Sequence, residues 1–359
     1  MPLDPQVQTL LEHMRAAGLP PFHTLRVEDA RQAMIDLVGK AKNPAPAHRV
    51  PKIEDRHIPG TAGPIPIRIY TPAGDGPFPV LVYFHGGGWV LGSIETHDPI
   101  CRELTRAVGC IVVSVDYRLA PEHPFPVPLE DCYAAVCWVA RCASDINGDA
   151  QRLAVGGDSA GGNLAAAVAL TARDRGTPSL AYQLLIYPVM DHAFDTGSYR
   201  ENGDGYFLTK DMMVWFWQHY LRHEAHGLHP QAAPLRAQNV YGLPSTLLLT
   251  AEFDPLRDEG EAYAKRMRAA GGEVEYRCYA GMIHGFLGLT SRLDAAAQAM
   301  AETAATLRTA LDIRPHDVGV EAQDTPETQL EKQQDEMVQR WQAATPLQAH
   351  SPVCEWEPI

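Results

Sequence analysis

Short runs of apolar and β-branched residues recur along the chain, and stretches with helical periodicity separate most of them. Eight runs predict strands, at residues 53–58, 65–70, 80–84, 111–115, 153–156, 182–187, 246–250 and 274–279. Helices are predicted at residues 98–108, 129–142, 161–173, 259–270 and 293–311. Apolar strands that alternate with helices are typical of a parallel sheet covered on both faces. We therefore predict an α/β fold with an eight-stranded, mostly parallel sheet flanked by helices, whose first two strands form an antiparallel pair.

Two stretches interrupt this alternation of strands and helices. Residues 1–50 have helical periodicity and run into a Pro-rich linker at residues 43–51, and residues 190–240 contain a run of aromatic side chains. Insertions that follow the carboxyl end of a strand lie above the sheet, where the sites of α/β proteins are found. We therefore predict that both stretches form a helical cap over a core of residues 51–189 and 241–312.

The composition is that of an ordinary globular protein, with 45% hydrophobic and 21% charged residues among 359. A net charge of −14 argues against a nucleic-acid partner, because phosphate binding needs a basic face. Residues 313–359 are acidic and weakly periodic, so we expect a mobile C-terminal extension with one short helix near residues 327–342.

Cellular location is predicted from what the sequence lacks. Its seven cysteines form no regular framework, and its first 18 residues lack the apolar segment of a signal peptide. No apolar run is long enough to cross a membrane. We therefore expect a cytoplasmic protein with reduced thiols and no membrane partner.

Ser159 lies in a glycine-rich turn between a predicted strand and a predicted helix. The turn has the sequence GDSAGG at residues 157–162. A sharp strand-to-helix turn of this kind forces its serine into a strained backbone conformation and exposes the hydroxyl to a base, while flanking glycines avoid collisions with the neighbouring backbone. This context predicts that Ser159 is a nucleophile.

Nucleophilic catalysis at serine also needs a base, an orienting acid and donors for a developing oxyanion. The run HGGGW at residues 85–89 ends a predicted strand, and its unblocked backbone amides can face an oxyanion together with the amide of Ala160. His284 follows the last predicted strand and is the candidate base. Asp254, at the end of the preceding strand, is the favoured acid, with Glu252 and Asp258 as alternatives.

Five stretches of the chain resemble, in sequence and in order, the bacterial hormone-sensitive-lipase-like (family IV) carboxylesterases of the α/β-hydrolase superfamily. They are residues 85–89, 116–126, 156–163, 254–258 and 284–286. The resemblance spans roughly residues 1–312. It implies an α/β-hydrolase fold, a cap built partly from the N-terminus, and hydrolysis of short- to medium-chain carboxylic esters through an acyl-enzyme.

The resemblance also implies roles for individual residues. It implies a catalytic triad of Ser159, Asp254 and His284. It also implies an oxyanion hole formed by Gly87, Gly88 and Ala160. No metal or organic cofactor is implied. We further predict a substrate pocket lined by Trp89, Tyr187, Phe207, Leu208, Trp215 and Phe286.

Histidines at helical spacing in the second interrupting stretch raise the question of a metal site. They are His219, His223, His226 and His229, and a helix ending before the last of them would place the first three on one face. No carboxylate or cysteine pattern completes a known metal site. A solvated face of the cap is therefore the favoured interpretation.

Alternative functions share parts of the same pattern. An amidase or lactonase would use the same triad, whereas a non-catalytic binding protein on this fold would be expected to lose the base. The expected partners are a small-molecule ester and water, without nucleic acid or membrane. Assembly as a homodimer is left open.

Overall fold

An eight-stranded sheet lies at the centre of the computed structural model, which describes residues 2–18, 20–41 and 49–313. The strands are β1 (Lys52–Gly60), β2 (Gly63–Thr71), β3 (Phe78–Phe84), β4 (Ile111–Val115), β5 (Gly148–Asp158), β6 (Tyr182–Ile186), β7 (Ser245–Phe253) and β8 (Val274–Ile283). Their order is β1-β2-β4-β3-β5-β6-β7-β8. Strand β2 is antiparallel to β1 and β4, and the other neighbouring pairs are parallel. The predicted sheet is confirmed.

Helices connect most of the strands, and others precede the first strand and follow the last one. They are α1 (Pro5–Ala16), α2 (Val27–Ala41), α3 (Ile94–Leu104), α4 (Val127–Cys142), α5 (Ala160–Arg175), α6 (Gly197–Asn202), α7 (Lys210–Tyr220), α8 (Arg257–Ala269) and α9 (Asp294–Ala310). Since parallel neighbours need crossover connections, a helix stands between most consecutive strands.

Strand β3 shows why the central strands are apolar along their whole length. Val82 and Phe84 pack on one face of the sheet, in a core shared with α4, α5, α7 and α8. Leu81 and Tyr83 pack on the other face, with α1, α3 and α9. Both sets of side chains are fully buried. The sheet is therefore covered on both faces, as the sequence pattern predicts.

Helix α3 begins earlier than the sequence pattern predicts. Ser93 caps its first turn: the Ser93 side chain accepts a hydrogen bond from the Thr96 amide, while the Thr96 hydroxyl accepts one from the Ser93 amide. Pro99 lies inside the helix, in its second turn. The reciprocal cap satisfies amides of the first turn and sets the start of the helix, whereas Pro99 removes one hydrogen-bond donor farther along it.

The two stretches predicted as a cap are helical. Helices α1 and α2 occupy the N-terminal stretch, and α6 and α7 occupy the internal one. The predicted extension after Ile313, with its short helix, and most of the Pro-rich linker lie outside the described residues. In the ranges that the structure describes, no helix is long and apolar enough to cross a membrane.

Candidate active site

Ser159 occupies the single residue between β5 and α5, and its backbone is strained. Its φ is 56° and its ψ is −119°, a conformation that side-chain-bearing residues adopt only when the surroundings impose it. Glycine is required beside it, because a β-carbon on Gly161 would lie 1.9 Å from the carbonyl oxygen of Phe84 and one on Gly157 would lie 2.4 Å from that oxygen. The turn thus packs backbone to backbone against the end of β3.

His284 joins Ser159 to Asp254 through two hydrogen bonds. Its Nε2 lies 2.9 Å from Ser159 Oγ, and its Nδ1 lies 2.7 Å from Asp254 Oδ2. Asp254 is fully buried, and its second oxygen accepts a hydrogen bond of 2.9 Å from the Leu256 amide. With Nδ1 donating to the carboxylate, Nε2 is left to accept the serine proton. The geometry is that of an activated serine nucleophile.

The two alternative carboxylates lie elsewhere. Glu252 accepts a hydrogen bond of 2.8 Å from the Gly281 amide. Asp258 accepts one of 2.7 Å from the Ser198 amide and pairs with Arg257 at 2.9 Å. Asp254 is the candidate that contacts His284.

The glycine run after β3 turns through backbone conformations that need glycine. Gly87 has a φ of +114° and Gly88 a φ of +61°. A β-carbon on Gly87 would lie 2.3 Å from the Leu91 carbonyl oxygen, and one on Gly88 would lie 2.2 Å from the ring of Phe216 on α7. Ala160 begins α5, where the first amides of a helix have no partner within the helix.

A buried polar cluster lies behind this glycine run. Asp158, the residue before the serine, accepts hydrogen bonds from the Tyr83 hydroxyl at 2.8 Å and from the Gly86 amide at 3.0 Å. His97 Nε2, on α3, lies 3.4 Å from the same Asp158 oxygen. The sequence analysis missed this cluster, although a carboxylate inside a buried strand-to-turn segment requires partners and is itself a signal.

His85, the first residue of the glycine run, is uncharged in this environment. Its ring is completely buried and stacks on Tyr117 with a centroid separation of 4.3 Å. Burial lowers the pKa of His85 to about 3. The Tyr117 hydroxyl donates to the His85 carbonyl at 2.7 Å, which anchors the backbone where the run begins.

The residues predicted to line a pocket fall into two groups. The Tyr187 ring lies 4.7 Å from the His284 ring, and Phe207 lies within 3.7 Å of the β-carbon position of Gly285. Phe286 lies behind Tyr187 at a centroid distance of 5.9 Å. These three residues therefore lie around the histidine.

The other three predicted pocket residues lie nearer the cap. Trp89 has no exposed surface and stacks on Tyr220 of α7 at 4.0 Å, so it supports the glycine run from the cap side. Leu208 is buried just before α7, and Trp215 is half-buried on it. Phe216, which is not among the six predicted pocket residues, lies against Gly88 of the glycine run.

The histidines considered for metal binding are not arranged on one helical face. Helix α7 ends at Tyr220, because Leu221 adopts an extended conformation, so only His219 lies on it. This corrects the expectation that a helix carries the first three of them. Across residues 2–18, 20–41 and 49–313, no group of three or more histidine, cysteine or carboxylate side chains could hold a metal ion.

Comparison with known proteins identifies the family of the chain. Residues 81–288 match the sequence profile of the family described as alpha/beta hydrolase fold. The chain belongs to this family, and the resemblance predicted from its motifs is confirmed.

Individual relatives are esterases by name. The chain is 45% identical over 296 residues to the carboxylic ester hydrolase LipN of Mycobacterium tuberculosis, which covers 80% of this chain and 77% of that protein. It is 42% identical to carboxylesterase NlhH of the same species, over 72% of this chain and 83% of that protein. The crystal structure of a thermostable esterase from Pseudomonas putida superposes with a TM-score of 0.84 at 40% identity, covering 87% of this chain and 99% of that one.

Proposed function

We propose that this protein is a serine carboxylesterase that hydrolyses short- to medium-chain carboxylic esters through an acyl-enzyme intermediate. The observation that carries the proposal is the continuous hydrogen-bonded path from Asp254 through His284 to Ser159, with distances of 2.7 and 2.9 Å. The relatives named as carboxylic ester hydrolases support the ester as substrate.

Acylation begins at the serine. Ser159 Oγ forms a bond to the ester carbonyl carbon while His284 Nε2 takes the hydroxyl proton, and the carbonyl π electrons move onto oxygen. Asp254 holds the ring so that Nε2 faces the serine and stabilises the imidazolium that forms. When the tetrahedral adduct collapses, the carbon–oxygen bond to the alcohol breaks and His284 returns the proton to the leaving oxygen.

Deacylation repeats the same steps with water as the nucleophile. His284 takes a proton from water as the water oxygen bonds to the acyl carbon. Collapse of the second adduct releases the carboxylic acid, and Ser159 Oγ regains a proton from His284.

The amides of Gly87, Gly88 and Ala160 are proposed as the oxyanion hole. Positive φ at both glycines and the position of Ala160 as the first residue of α5 support this assignment. Donors that are already oriented stabilise the oxyanion without reorganisation at the moment of reaction. One such donor is worth about 10²–10³ in turnover.

The N-terminal stretch 1–50 and the insertion 190–240 are proposed as a cap that limits access to the serine. Ser159 is 8% exposed and His284 is 6% exposed, which supports a closed site that admits small esters. Tyr187, Phe207 and Phe286 would line the pocket beside the histidine, and Leu208 and Trp215 would line it on the cap side. Trp89 would support the glycine run through its stacking on Tyr220.

The test is hydrolysis of p-nitrophenyl esters from acetate to palmitate by the full chain and by Ser159→Ala. Wild type should prefer the shorter chains, and Ser159→Ala should lose hydrolysis while keeping its circular dichroism spectrum and melting temperature. More than a few per cent of wild-type turnover in Ser159→Ala would refute the proposal. Adding p-nitroacetanilide to the panel separates an esterase from an amidase, since an esterase should leave the anilide intact.

A further inference from the structure

The carboxylate of Asp158 connects the two segments that must meet in the reaction. Asp158 precedes Ser159 directly, while Gly86, whose amide it binds at 3.0 Å, precedes Gly87 directly. The two residues are 72 positions apart in the sequence. One carboxylate therefore fixes the start of the glycine run relative to the nucleophile.

The contact is built so tightly that no other residue fits at Gly86. A β-carbon there would lie 2.3 Å from Asp158 Oδ2 and 3.1 Å from the Asp158 carbonyl oxygen. The amide donates to Asp158 Oδ1, on which the Tyr83 hydroxyl and His97 also converge. A displacement of the carboxylate would thus displace the glycine run.

His97, which lies on α3, contacts the Asp158 carboxylate. Its Nε2 accepts a hydrogen bond of 3.2 Å from the Gly86 amide and lies 3.4 Å from Asp158 Oδ1. Its Nδ1 lies 2.9 Å from the Thr96 hydroxyl, and Thr96 belongs to the cap of α3. The capped end of α3 therefore holds the imidazole against the carboxylate.

The charge at Asp158 must be balanced because the reaction builds a second negative charge close by. Burial works to raise the pKa of Asp158, but the charge and hydrogen bond of His97 and the Tyr83 hydroxyl outweigh it and lower that pKa. An unbalanced carboxylate beside the serine would oppose an oxyanion forming next to it. The hydrogen bonds that Asp158 Oδ1 accepts from the Tyr83 hydroxyl and the Gly86 amide reduce this opposition.

We propose that Asp158 and His97 are positioning residues that set the oxyanion donors relative to Ser159. They act through the Gly86 amide and do not touch the substrate. The inference rests on the proposed function, since it assumes that Gly87 and Gly88 are the donors.

The experiment measures kcat and KM for p-nitrophenyl butyrate in full-length Asp158→Asn, His97→Ala and His97→Gln. A misplaced donor lowers kcat, so we expect about 10- to 100-fold losses in the first two variants with KM within threefold of wild type. His97→Gln should recover part of the loss, because its side-chain oxygen can still accept a hydrogen bond from the Gly86 amide. Tyr83→Phe keeps the buried ring and removes one bond to Asp158, so it carries the test if Asp158→Asn does not fold.

Inhibition by a trifluoromethyl ketone distinguishes a misplaced oxyanion donor from a general loss of structural order. Ser159 adds to the carbonyl carbon of the ketone, His284 takes the serine proton, and the resulting oxyanion occupies the donor site. The inhibition constant of the ketone should rise in each variant by the same factor as kcat/KM falls, while the alcohol analogue, which forms no oxyanion, should bind unchanged. Asp131→Asn is the matched control: Asp131 is a buried aspartate paired with Arg118 at 2.6 Å, and its loss should leave kcat within twofold.

The outcomes separate this inference from the proposed function. Hydrolysis that survives Ser159→Ala would refute the function itself. An active wild type, an inactive Ser159→Ala and wild-type kcat in folded Asp158→Asn and His97→Ala would refute only the positioning role. Losses that appear in KM alone would refute it as well.

Discussion

Phe216 of α7 lies directly against Gly88 of the glycine run, with its ring 2.2 Å from the position that a β-carbon on that glycine would take. Gly88 also has a φ of +61°, which a larger residue adopts only with strain. Helix α7 and the proposed oxyanion donor Gly88 are therefore in contact at a point that tolerates no added atom.

Gly88→Ala should lower kcat by about 100-fold, because a shift of roughly 1 Å in a donor costs that much. Adding Phe216→Ala should restore part of the activity by removing the clash, while the strain at positive φ remains. The measurement is kcat for p-nitrophenyl butyrate in the single and double variants. Gly271→Ala is the control for φ strain alone: φ there is +85° with no atom within 4 Å, and its kcat should stay at the wild-type value.

Asp254→Asn should lower kcat by about 10⁴-fold without unfolding the protein, because an asparagine side chain favours the wrong histidine tautomer. Glu252→Gln should stay within a few-fold of wild type, since Glu252 bonds to the Gly281 amide instead of to His284. Steady-state hydrolysis and melting temperature check both. A severe loss in Glu252→Gln with an active Asp254→Asn would show that the acid is misassigned.

Glu259 should make the protein less stable as pH rises. It is buried, and its Oε1 accepts from the Met190 amide at 2.7 Å. Burial raises the pKa of Glu259 well above its ordinary value of 4.5, so the folded state binds this proton more tightly than the unfolded state does. The stabilisation is complete below about pH 4.5 and is lost as pH rises toward the raised pKa.

Glu259→Gln cannot ionise and should therefore melt at a higher temperature than wild type at pH 8, with the difference shrinking toward pH 5. Melting temperatures between pH 5 and 8 measure this difference. Glu261→Gln, which removes a surface pair with Lys265 on the same helix, should leave the pH profile of wild type unchanged. A difference between Glu259→Gln and wild type that does not vary with pH would contradict the prediction.

Asn163 ties α5 to the insertion that contains the cap helices. Its Nδ2 donates to the carbonyls of Val189 and Ala232, each at 2.8 Å, in a fully buried position. Asn163→Ala leaves both carbonyls without this donor and should lower the free energy of unfolding by about 2–4 kcal/mol. Urea denaturation checks the value. The exposed Asn239, changed to alanine, should alter it by less than about 0.5 kcal/mol.

The sheet could be predicted because strands that are buried on both faces are apolar at nearly every position. Strands β3, β4 and β6 are buried at every residue, and each matches a run that is apolar apart from Ser114 in β4 and Gln183 in β6. Helix starts were harder. The predicted start of α3, at residue 98, is later than its actual start at Ile94, because the side chains of Ser93 and Thr96 decide where the helix begins. Local capping depends on a reciprocal geometry that residue types alone do not reveal.

The residues of the candidate site also fall into those that the sequence predicts and those that it does not. Ser159, Asp254 and His284 could be predicted because parallel strands place their carboxyl ends at one edge of the sheet, so position along the chain indicates proximity. The contacts of Asp158 with His97, and of Gly88 with Phe216, join elements whose relative placement depends on packing. No periodicity or motif encodes those distances, so they follow only from the folded chain.

The close approach of Gly157 and Gly161 to the Phe84 carbonyl has a consequence for how such an enzyme can diversify. Main-chain atoms alone set the spacing between the nucleophile and the strand that leads to the glycine run, so exchanging side chains there cannot widen or narrow it. Helices α6 and α7, by contrast, present replaceable side chains such as Trp215 and Phe216. New ester preferences can therefore arise in the cap while the reacting atoms keep their places.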